Sequence, residues 1–151
     1  MDEITDRDKF LIMLEWMLAL EQRHADALEP GLVHIAYNPG DIRDLTFGAS
    51  DAAHKLTEVL QCLQQVFRGT DLITREGMNF WILAPFTQID PVIEKVRKVL
   101  TTAPQSGLAI AHSNVRVYML RDHMDSPSAK VRDAQAFMAH LLTQPAIELA
   151  I

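Results

Sequence analysis

Cysteine is all but missing from this 151-residue chain: Cys62 stands alone, so one chain can build neither a disulfide framework nor a cysteine-based zinc site. That thiol usage fits a reducing cytoplasm. Clustered basic charge is lacking too, because the fourteen Lys and Arg residues are scattered and the net charge is −6. A surface of that balance does not coat a polyanion such as nucleic acid, which requires grouped cations. No apolar run approaches the roughly 20 residues of a membrane span. The opening MDEITDRDKF is acidic where a signal peptide is basic. His34, His54, His112 and His123 lack the i,i+4 spacing of a zinc-binding helix. Ser50, Asp51 and Ser113 have no catalytic-triad context.

What is present is the composition of a compact domain, 48% hydrophobic and 23% charged, with a length that suits a single domain over residues 1–151. Phe10, Met13, Leu14, Met17 and Leu18 recur at helical steps, and Leu56, Val59, Leu60, Leu63, Val66 and Phe67 do so again. Between them Leu32 to Tyr37 reads as a buried strand closed by Asn38-Pro39-Gly40. Asp71 to Thr74 and Asn79 to Leu83 form a hairpin around Glu76-Gly77. Thr87 or Asp90 caps a helix facing inward through Val92, Ile93, Val96, Val99 and Leu100. Strands follow at Leu108 to Ala111 and Val115 to Leu120, then a helix from Ser126-Pro127 carrying Val131, Ala134, Met138 and Leu141. Ile147 to Ile151 reads as a closing strand or as frayed helix. Trp16 and Trp81 both fall within apolar patterns and read as packing residues. The order α-β-α-β-β-α-β-β-α implies an α/β (α+β) fold of the ferredoxin-like or split βαβ group, a mixed five-stranded sheet with a central hairpin and flanking helices.

The stretch LTEVLQCLQQVFRGTDLITREGMNFWILAPFT, Leu56 to Thr87, resembles the centre of GGDEF domains. There a helix leads into RxxD, then an RxGGDEF hairpin, then a strand closing on a Pro-x-Thr. Leu56, Val59 and Leu63 match the helix, Arg68 and Asp71 the RxxD, Phe80 the hairpin Phe, and Pro85 with Thr87 the strand end. Arg7 and Phe10 fit the family's NRxxF, Ile93 to Arg97 its AExIR, and Ser106 to Ser113 its SIGVA strand. The resemblance spans nearly the whole chain, in order, and implies a nucleotide-cyclase palm.

The residues of the cyclase reaction depart from that pattern. Diguanylate cyclases hold two Mg²⁺ ions through carboxylates to activate a hydroxyl and neutralise a triphosphate. Alignment puts Ala36, with Asn38 two residues on, where the first carboxylate belongs. It puts Glu76, Gly77, Met78 and Asn79 on the GGDE positions, with the hairpin one residue short between Arg75 and Phe80. A methyl and a thioether are poor partners for a hard cation. Glu76 would further crowd and repel a phosphate. Of the guanine-reading motif, DLTFGASDAAHKL keeps Gly48 and Leu56, while Ala53 replaces its last Asp. The resemblance is therefore to a degenerate GGDEF domain without catalytic residues, metal or cofactor.

The RxxD pair Arg68 and Asp71 matches the inhibitory cyclic di-GMP site of the family, with Lys95 as a second cation and Arg97 as the fallback. An Arg fork can hold phosphate or stack on guanine while an Asp accepts from the guanine N–H groups. The plainer role for the same residues is a helix-end charge followed by a turn. The function so implied is a catalytically inactive regulatory or binding module in bacterial cyclic di-GMP signalling or exopolysaccharide control. The alternative is a protein-interaction or dimerisation scaffold with no nucleotide ligand. Neither has a nucleic-acid partner or a membrane insertion.

Overall fold

A computed structural model describes residues 6–23, 30–37, 49–67, 72–84, 89–102 and 113–149 of the chain. In order these are α1 (Asp6–Arg23), β1 (Gly31–Tyr37), α2 (Ala49–Val66), β2 (Leu72–Glu76), β3 (Asn79–Ala84), α3 (Ile89–Thr102) and β4 (Ser113–Met119). A 3-10 turn (Leu120–His123), α4 (Pro127–Lys130), α5 (Ala134–Leu141) and β5 (Ile147–Leu149) complete them. No helix among the described residues is long and apolar enough to cross a membrane.

The strands form one five-stranded sheet in the order β2-β3-β1-β4-β5. Every pairing is antiparallel, so the expectation of a sheet mixed in strand direction is corrected. The reason lies in the connections. The chain leaves β1 through α2 and returns at β2, skipping the place that β3 fills, and it leaves β3 through α3 to reach β4 on the far side of β1. Each crossover thus separates its two parallel strands by an antiparallel one, which is the split βαβ arrangement.

Helices cover both faces of the sheet. Val33, Ile35, Phe80, Ile82, Val115 and Val117 meet Leu56, Val59 and Leu63 of α2 and Val92, Val96 and Val99 of α3. The alternate positions Leu32, Trp81, Leu83 and Tyr118 meet Phe10, Leu14 and Leu18 of α1, with Phe137 and Leu141 of α5. This two-residue alternation explains why β1 is buried along almost its whole length. The helix expected to start at Thr87 or Asp90 begins at Ile89, with Asp90 in its first turn; Thr87 lies outside the described residues. The strand expected at Leu108 to Ala111 lies outside them too. Ile147–Leu149 is the strand alternative, bonded to β4.

The last helix is two helices. Ser126 caps α4 by accepting from the Ala129 N–H, and Asp133 caps α5 by accepting from the Ala136 N–H. Between them the Arg132 N–H donates to the Ala129 carbonyl and the Asp133 N–H to the Ser128 carbonyl, both at 3.1 Å. That pair of bonds is a Schellman motif, and it puts Arg132 in the left-handed region at φ 56°. Val131, expected on the inward stripe, is therefore turned out and 73% exposed. A side chain at that φ costs about 1 kcal/mol that glycine does not incur. Arg132→Gly is expected to raise unfolding stability by about 0.5–1 kcal/mol, read as a higher denaturant midpoint at unchanged slope.

Candidate functional site

The hairpin tip and the end of β1 come together as the register dictates. Ala36 pairs with Asn79 on one side and with Asn114 on the other. The Tyr37 N–H donates to the Met78 carbonyl at 3.3 Å, closing the strand end onto the tip. Gly77, at φ 61°, is the first central residue of a two-residue turn, and Met78 after it has no positive φ, the pattern of a type II′ hairpin. Met78 packs against the α2–α3 core. Tyr37 is buried edge-on to Phe80, and burial, with Cys62 adding to it, pushes its phenol up to about 12. It brings no charge to the strand end at neutral pH.

The side chains beside the tip are tied to helices on both sides. Arg75 donates to the Gly77 carbonyl at 2.9 Å and to Thr57 Oγ1 of α2 at 3.2 Å. Glu76 points the other way, where its Oε1 accepts from Arg7 Nε at 2.7 Å. Gln135 of α5, its amide oxygen turned to the same guanidinium, accepts from Nη2 at 2.8 Å and Nη1 at 3.2 Å. Glu76 thus has a cationic partner on the α1 face.

Under that ion pair lies a cleft of about 260 Å³ lined by Arg7, His34, Glu76, Asn79, Trp81 and Met138 among others. His34 is 7% exposed, its ring centroid 4.4 Å from that of Trp81. Burial, with Arg116 next to it, lowers the imidazole to about 4 despite a hydrogen bond with Asn79. Sequence reasoning set His34 aside because it lacks the i,i+4 spacing of a zinc-binding helix. Its alternation with Leu32 on a doubly covered strand was the signal that could have found it.

Of the three expected ligand residues, Arg68 and Asp71 lie outside the described residues, as do Asn38 and Gly48. Lys95 is exposed on α3 with Nζ 5.5 Å from the centroid of Phe67, the residue before Arg68. Arg97, the fallback, is exposed two residues further along α3. Trp81 packs in the core, but Trp16 is 53% exposed, which corrects its reading as a packing residue. Cys62 is exposed on α2. Among the described residues no three His, Cys, Asp or Glu side chains gather as a metal-binding group.

No protein-family model matches the chain, and no curated protein sequence does. Solved structures do. The isolated GGDEF domain of TpbB (YfiN) from Pseudomonas aeruginosa superposes with a TM-score of 0.61 at 18% identity, over 93% of this chain and 85% of that one. The diguanylate cyclase SiaD of the same organism, in complex with its activator SiaC, gives 0.63 at 23% identity, over 93% of this chain and 55% of that one. An EAL/GGDEF domain protein from M. capsulatus gives 0.53 at 17%, over 94% and 95%. The chain therefore has the palm-type fold of GGDEF domains. Identity at this level carries the fold and leaves the chemistry to be argued from the residues.

Below pH 6.5 an unfolded chain protonates His34, while the folded one resists to about 4. Between those values the unfolded state binds more protons, so stability present above 6.5 is lost as the pH falls toward 4. The loss is on the order of 2 kcal/mol after allowance for solvent screening at the cleft mouth. His34→Gln should flatten the fall in denaturant midpoint between about pH 7 and about pH 4.5; an unchanged pH profile would place the titration elsewhere.

Proposed function

We propose that this chain is a GGDEF-fold module without diguanylate cyclase activity, acting by binding in bacterial cyclic di-GMP signalling or exopolysaccharide control. The observation that carries the proposal is the meeting of Ala36 with the Gly77–Met78 turn, through the Ala36–Asn79 pair and the Tyr37–Met78 bond. If this is where the family's metal carboxylates would stand, a methyl and a thioether occupy both positions, and neither can hold Mg²⁺. Without that charge the triphosphate is not neutralised and the attacking hydroxyl is not activated.

Ligand binding is assigned to Arg68 and Asp71, with Lys95 as the second cation. Support comes from the cation–π contact of Lys95 on Phe67, which holds an exposed ammonium over the residue that precedes the RxxD in sequence. An Arg fork and a Lys point charge together suit a cyclic dinucleotide with two phosphates. The second reading, a protein-interaction or dimerisation scaffold with no nucleotide, is favoured by Ile12 and Trp16, apolar side chains more than half exposed on α1.

Isothermal titration separates the two. Cyclic di-GMP is expected to give a saturable heat that Arg68→Ala abolishes and Lys95→Ala weakens by roughly tenfold. No heat with the wild-type chain removes the receptor reading and leaves the scaffold. Incubation with GTP and Mg²⁺ is expected to yield no cyclic dinucleotide; sustained turnover would overturn the loss of activity.

A further inference from the structure

Helix α1 is apolar on two opposite sides. Its inner stripe, Phe10, Leu14, Met17 and Leu18, is buried against the sheet. At 100° per residue, Lys9, Ile12, Trp16, Ala19 and Arg23 form a second stripe on the far side, in alternating three- and four-residue steps. Ile12 and Trp16 are both more than half exposed. A surface helix with one core face normally turns charge outward. Here the outward stripe is apolar in the middle, with Lys9 beside the exposed Asp8 at its N-terminal end and Arg23 at its C-terminal end.

A groove of about 270 Å³ runs beside its C-terminal half, lined by Trp16, Ala19, Leu20, Arg23 and Arg132. Arg132 is the residue held at φ 56° where glycine is the usual occupant. Its Nε donates to Gln22 Oε1 of α1 at 3.2 Å, which fixes the guanidinium beside the groove. A strained position that delivers a cation to a cleft is a reason to look for a ligand there.

The charge pattern selects the ligand. Lys9 and Arg23 are about 21 Å apart along the helix, further than one small anion reaches. A second copy of α1 laid parallel on this stripe opposes Arg23 to Arg23, and one laid antiparallel brings Lys9 and Asp8, whose charges cancel, to the neighbouring cations Arg23 and Arg132. Neither arrangement supplies the net negative charge that complements this end. We infer that the outer stripe of α1 docks an amphipathic helix of another protein, apolar at its centre and acidic at the end that meets Arg23 and Arg132, with Trp16 as anchor. Tryptophan and arginine are the side chains enriched where binding free energy concentrates. The surface uses none of Arg68, Asp71 or Lys95, so it stands or falls apart from nucleotide binding.

The test uses two labelled synthetic helices of about three heptads, leucine at the central seam positions, one with glutamate and the other with lysine at one end. Fluorescence anisotropy with the wild-type chain is expected to show saturable binding of the acidic peptide only, weakening as salt is raised. Trp16→Ala should reduce that affinity at least tenfold or so, and Arg23→Glu with Arg132→Glu should reverse the preference toward the basic peptide. Circular dichroism checks that each variant is folded; should the double variant unfold, Trp16→Ala and the salt dependence decide. The inference is overturned if the wild type fails to bind the acidic peptide, binds both equally, or is indifferent to Trp16→Ala. It is also overturned if the wild type sediments as a dimer that Trp16→Ala returns to monomer.

Discussion

Strand β1 is bonded along both edges and covered on both faces, and the rest of the architecture follows from that. Its neighbours β3 and β4 reach it only after helical crossovers, so the hairpin between β2 and β3 has one register available, the one that sets Gly31 against Ala84 and Ala36 against Asn79. A slip by one residue would carry Val33 and Ile35 out of the α2–α3 core and Leu32 out of the α1–α5 core together. Position at the hairpin tip is therefore inherited from the core rather than set by the tip's own sequence. That is why a turn of only two residues can sit against the end of β1.

Much of this was legible beforehand, and the limits have physical causes. The stripes of α2 and α3 and the hairpin around Gly77 are strong because periodicity and turn chemistry agree there. Strand direction was not legible: the pattern of elements says that helices link strands, and only the pairing order says which strand lies between. The break at Arg132 was hidden because Val131, Ala134, Met138 and Leu141 keep helical spacing straight through it. The spacing reports a face, whereas the caps at Ser126 and Asp133 decide where the backbone turns. Trp16 misled for a related reason, since apolar periodicity cannot tell a helix with one buried face from a helix with two apolar ones. Of the candidate ligand site, Lys95 and its contact with Phe67 are described, while the RxxD pair rests on sequence.

A polar group buried in such a doubly covered sheet is tolerated where it stays uncharged or finds a partner within the fold. His34 meets this by staying neutral between Trp81 and Asn79. Glu76 is less buried and is held by Arg7, which is in turn held by Gln135. The result is a chain of contacts from the first turn of α1 through the hairpin tip to α5, closing over the cleft. Deleting one member of such a chain leaves the others short of partners, so its cost exceeds that of an isolated exposed ion pair.

The two ties of the hairpin tip bear on what the domain can do. A turn that cradles phosphate offers bare backbone and keeps neighbouring side chains clear, which is the use of paired glycines there. In this chain Arg75 reaches back to the Gly77 carbonyl and across to Thr57, and Glu76 is drawn to Arg7 on the opposite face. The tip is thereby bound to α2 on one side through Arg75 and to α1 on the other through Glu76. Such a hairpin couples two helical layers. Because α1 also carries the outer apolar stripe, a partner seated on that stripe would be linked to the tip through Arg7 by one helix, and a shift of α1 by even half a turn would break the Arg7–Glu76 contact.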